Sequence, residues 1–139
     1  MGTNMLGRAS YSIDFIMACR KRAERQLKLY DALAKKAGKE IDAFSPEFFN
    51  TMVLALDHYF MHRLRGKEGK DGNPLNEVRM LAASLLEHDG VMTRDSTIKY
   101  DTGKSITGIG LGQKIVIDRK RFEALADGFF DEIAAKFAE

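Results

Sequence analysis

Between Ile16 and Ala37 the apolar residues Ile16, Cys19, Ala23, Leu27, Tyr30, Leu33, Ala34 and Ala37 recur at three- and four-residue steps, with charged residues between them. That period is the stripe of an amphipathic helix and predicts one from about Ser12 to Ala37. Ser10 or Ser12 can cap its start, Lys35 and Lys36 suit its negative end, and Gly38 offers a left-handed stop. At 1.5 Å per residue such a helix is about 39 Å long, so in a 139-residue chain one end should overhang or meet another subunit.

The later punctuation is also helical. Ser45-Pro46-Glu47 reads as a cap, a first-turn proline and an acid at the positive helix end, with Phe44 and Phe49 placed as a hydrophobic staple. A second helix is expected from there to about Arg65, stopped by Gly66. After a polar loop with three glycines, Asn73-Pro74 opens a third, running to His88 or Asp89 before Gly90. The short loop makes these two antiparallel neighbours. Thr97–Tyr100, Ser105–Ile109 and Lys114–Ile117 read as short strands, with 110–113 as a turn. Asp118 caps a last helix with Phe122, Leu125, Ala126, Phe129, Ile133 and Phe137 on one face. The fold expected is α+β in one compact domain over 1–139: about four helices with a small antiparallel hairpin or three-stranded sheet before the last. Residues 1–9 are expected to form a flexible N-terminus.

Composition narrows the function classes. Cys19 is the only cysteine, so no disulfide forms within the chain and no paired-cysteine zinc site exists. Met1–Met5 has neither the basic start nor the apolar block of a signal peptide, and Leu6 breaks the myristoylation pattern that Gly2 would begin. No run is long enough to span a bilayer, which leaves a cytoplasmic protein as the expectation. Net charge is +2; residues 1–70 carry 13 basic and 8 acidic side chains, residues 71–139 carry 9 and 12. That imbalance does not favour a nucleic-acid partner, which usually demands a concentrated basic stripe. The run Arg20-Lys21-Arg22-Ala23-Glu24-Arg25 has no aromatic interleaving and reads as solvated or intersubunit charge.

Two constellations can carry chemistry. His58 and His62 lie four apart on the expected second helix and could share a divalent metal, although no Glu follows His58 as a zinc protease would need. Across the loop His62 comes level with about Glu77, making His58, His62 and Glu77 the candidate metal set. The glycine-rich loop and the helix start that follows it form a possible anion cradle, with Arg65, Lys70, Asn73, Asn76, Glu77 and Arg79 as candidate ligand groups. It does not follow P-loop order, and Pro74 removes one N–H donor. Gly108-Ile109-Gly110-Leu111-Gly112 has no helix behind it and is read as turn geometry rather than a dinucleotide fingerprint. No nucleophile has an evident base. The sequence therefore predicts a small bacterial-type, non-catalytic domain that forms a homodimer, because Leu54, Met61, Phe48 and Tyr59 lie off the second helix's main stripe. The alternative is a ligand-binding protein, for a metal ion or anionic small molecule, using the two histidines and the 66–79 loop.

Overall fold

The computed structural model describes residues 7–139; the opening segment read above for targeting signals lies outside them. The described residues form five helices: α1 (Ile13–Lys36), α2 (Glu40–Tyr59), α3 (Arg65–Glu68), α4 (Pro74–Glu87) and α5 (Arg119–Phe137). α5 touches all four others, and α2 packs on α4. Phe49, Phe60, Phe122, Phe129, Phe130 and Phe137 are each at most 1% exposed and fill the space between the helices. Burying a side chain of this size contributes roughly 1.5–3 kcal/mol, so these six rings dominate the core. No helix among the described residues is long and apolar enough to cross a membrane.

Three helix starts follow the sequence signals. Ser12 accepts the Phe15 N–H at 3.2 Å, Asn73 accepts Leu75 and Asn76 N–H ahead of Pro74, and Asp118 accepts Arg121 N–H at 2.7 Å. Elsewhere the chain departs from them. Gly38 does not take a left-handed conformation; α1 leaves through Ala37 in extended geometry. The Ser45-Pro46 signal is interior to α2, which starts at Glu40 without a side-chain cap. There the Ser45 hydroxyl donates back to the Ile41 carbonyl at 2.8 Å and meets the Tyr30 hydroxyl of α1. At its far end α2 stops at Tyr59 rather than Arg65. Phe60 leaves helical geometry and is fully buried, and the turn after it aims the Arg63 side chain inward.

The expected three-stranded sheet is absent among the described residues, and the fold is helical rather than α+β. The alternating residues Ile98, Ile109, Ile115 and Ile117 are indeed buried, yet their backbone does not pair strand to strand. Residues 112–115 instead bond residues 90–92, through Gly112 N–H to Met92 O, Met92 N–H to Gln113 O and Ile115 N–H to Gly90 O. The 106–107 backbone bonds a side chain, the Glu77 carboxylate. Period-two burial marks an extended segment laid on a core; a sheet also needs a neighbouring strand to take its N–H groups.

Candidate functional site

Residues 7–11 run extended between two other segments. Arg8 donates its N–H to His62 O at 2.6 Å and accepts from Leu64 N–H; Tyr11 donates to Phe137 O at 2.8 Å and accepts from Glu139 N–H. Parallel bridges Arg8–Arg63 and Tyr11–Ala138 result. Of the terminus expected to be flexible, residues 7–9 are thus held on the body of the protein. Gly7 makes the approach possible: at φ +113 a Cβ there would come 2.8 Å from His62 O.

This docking walls one side of a groove of about 490 Å³, whose other side is the end of α2. His58 and His62 line it together with Arg8, Ser12 and Glu139, and Tyr11, Phe15, Tyr59 and Met61 supply its apolar surface. The Arg8 guanidinium lies 5.0 Å above the Tyr11 ring, and Tyr11 and Phe15 pack edge-on to Phe60 at 4.9 and 5.5 Å. Phe15 and Met61 stay 43% and 48% exposed, so apolar surface is open at the mouth. Tyr11 is only 5% exposed, and its hydroxyl is buried without a hydrogen-bond partner among the described residues. Burial pushes the Tyr11 hydroxyl's pKa up, and the charges of Arg8 and Arg63 oppose that. Burial likewise raises Tyr59, with Arg22 of α1 close enough to pull it back. Neither imidazole bonds another side chain among the described residues, and each ring carries two nitrogens able to donate or accept.

The remaining candidates lie elsewhere, each with a task within the fold. The loop expected to cradle an outside anion holds one of the chain's own, Glu68, which is fully buried. Its carboxylate accepts Arg63 Nε at 2.8 Å, Arg79 Nη2 at 2.6 Å and Asn76 Nδ2 at 2.8 Å. Arg63, also buried, reaches Asp57 Oδ1 at 2.9 Å and the carbonyls of Phe60 and Leu75. Two guanidiniums and two carboxylates thus balance where α2, α3 and α4 meet. Burial raises the Glu68 pKa, but Arg79, Arg63 and Asn76 outweigh it and hold the carboxyl below its usual range. Asn73 caps α4 and donates to Glu68 O; Lys70 is exposed, its carbonyl accepting Lys99 N–H; Arg65 reaches Thr97 Oγ1 at 3.3 Å.

Glu77 does not join the histidines. It is 1% exposed and accepts Ile106 N–H, Thr107 N–H and Thr107 Oγ1 at 2.9, 2.9 and 2.6 Å. The metal set His58, His62 and Glu77 is therefore not assembled, and among the described residues no three His, Cys, Asp or Glu side chains gather as a metal site requires. The sequence reading found both groove histidines but missed Arg8, Tyr11 and Phe15, which arrive from a segment about fifty residues away, and missed Arg63 and Glu68 as an internal pair. Comparison with protein-family models, with curated proteins and with solved structures finds no match.

Proposed function

We propose that this chain is a non-catalytic binding protein whose ligand is an anion with an apolar body, seated in the groove of Arg8, His58 and His62. One observation carries the reading: a cavity of about 490 Å³ joins the Arg8 cation and two imidazoles without a partner among the described residues to the open faces of Phe15 and Met61. The Glu139 carboxylate in its lining is held by Ser10 Oγ at 2.8 Å. Small-molecule sites combine apolar walls with a few convergent polar groups, at volumes of about 300–1,000 Å³. The buried charges near the loop already satisfy one another and offer a ligand little.

3-Phenylpropionate tests this, with 3-phenylpropanol as its neutral counterpart. The acid should bind at least tenfold tighter, a difference of about 1.4 kcal/mol. It should move the ring resonances of His58 and His62, while His88, exposed at the end of α4, stays still. Arg8→Ala should remove the preference for the acid. Equal binding of acid and alcohol, or equal movement of His88, overturns the reading. Self-association is a second reading. It draws on the exposed Leu29, Leu33 and Phe44 at the other end of the α1–α2 pair, and sedimentation equilibrium at two concentrations decides it.

A further inference from the structure

Beyond the groove, farther along α1, lies a separate shallow hollow of about 450 Å³ lined by Ala18, Lys21, Arg22, Arg25 and Gln26. At 100° per residue Phe15 and Arg22 share one flank of the helix, so the hollow continues the groove's line. Arg22 also lies near enough to Tyr59 for its charge to act on that hydroxyl. Lys21, Arg22 and Arg25 form no ion pair among the described residues, whereas Arg20 on the same helix is paired with Asp127 and Asp131. The surface is therefore a mixed groove, with Phe15 and Met61 open at its mouth, followed by three cations unpaired among the described residues.

Charge decides what fits. In a two-fold contact of two copies centred here, Arg22 and Arg25 would face themselves, and like charges brought together oppose association. A bilayer surface cannot enter a concave pocket. Nucleic acid needs successive ring faces for its bases, and of the groove's phenylalanine and tyrosine rings only Phe15 is exposed, Tyr11 being 5% exposed and Tyr59 half-buried. We infer that this face docks an acidic, extended segment of a partner protein, its apolar anchor in the groove and its carboxylates along Lys21, Arg22 and Arg25. From Phe15 to Arg25 the helix rises about 15 Å, the span of roughly four to five extended residues. The anchor and the farthest carboxylate should stand that far apart in the partner's sequence.

The anchor half rests on the groove reading above, so the test separates the two. The probe is a fluorescein-labelled peptide of four alternating Asp and Glu residues joined through one glycine to phenylalanine. It should bind at least tenfold tighter than 3-phenylpropionate, weaken at least tenfold in the Lys21→Glu/Arg25→Glu variant, and weaken steeply with salt. That variant should keep its affinity for 3-phenylpropionate, which shows the groove intact. Replacing the peptide's phenylalanine by alanine should also cost at least tenfold. Unchanged peptide affinity in the charge-reversed variant overturns the inference. So does tighter binding of a twelve-residue oligo(dT), or of phosphatidylcholine vesicles containing phosphatidylglycerol. Loss of 3-phenylpropionate binding by the unaltered protein instead overturns the groove reading.

Discussion

Replacing Glu68 by glutamine removes one charge from a site with almost no water while keeping its shape. The side chains of Glu68 and Arg63 are 0% exposed and that of Arg79 is 22% exposed. Glutamine keeps one acceptor oxygen for Arg63 Nε and Arg79 Nη2 but turns an NH2 group toward Asn76 Nδ2 and Arg79 Nε, so about two bonds to a charged group are lost at roughly 1.5–3 kcal/mol each. The cost expected is about 3–5 kcal/mol, in line with loss of one partner from a buried pair. A domain holds only about 5–15 kcal/mol in total, so much of its stability is at stake. Urea unfolding followed by helical circular dichroism should show the midpoint falling at unchanged slope. Melting should drop by very roughly 10 °C for a chain of this size. Adding Arg79→Met should cost less than the sum of the single changes, since it removes a cation that the neutral amide leaves unbalanced. A loss under about 1 kcal/mol would refute the reasoning and mean that water reaches the network.

The same carboxyl sets an acid limit. Its pKa is held below the usual carboxylate range, so the stability it contributes is complete above the unfolded value of about 4.3 and is lost as pH falls through the lower folded value. Unfolding free energy of the natural chain should therefore fall more steeply below about pH 4 than that of Glu68→Gln. Glu77→Ala strips three bonds from residues 106 and 107, leaving a buried Thr107 unsatisfied; about 3 kcal/mol should be lost, and hydrogen exchange at Ile106 and Thr107 should accelerate. Unchanged exchange there would show that another group holds the loop. Gly72→Ala meets both a φ of +88 and a collision with the Lys99 carbonyl, and should cost about 2 kcal/mol or more by thermal melting. Gly66→Ala, in α3 with nothing within 4 Å, should be neutral or slightly stabilising in the same assay.

What could be read from the sequence was local. Asn73-Pro74 and Asp118 mark helix starts because the cap bonds an N–H two or three residues away, a relation written in adjacent letters. Ser45-Pro46 has the same letters and misleads, because Tyr30 from another helix and the Ile41 carbonyl engage the serine hydroxyl. The runs that hold Ile98, Ile109, Ile115 and Ile117 read as strands, but whether such a run finds a neighbouring strand or, as at 106–107, the Glu77 side chain depends on packing about thirty residues back. Glu68 stands among glycines and lysines and looks solvated; only its tertiary neighbours show that it is the fold's central anion. His58 and His62 do line one groove, though α2 ends between them and helical spacing is not what brings them together.

Tyr11 exchanges backbone bonds with Phe137 and Glu139, so a segment made early waits on one made more than a hundred residues later. During synthesis the charged network of Arg63, Glu68 and Arg79 is present in the chain well before α5, which later covers both α2 and α4, whereas the wall of the groove is not. The groove's wall is thus completed only once Phe137 and Glu139 are in place, and a chain truncated before residue 137 should lack that wall.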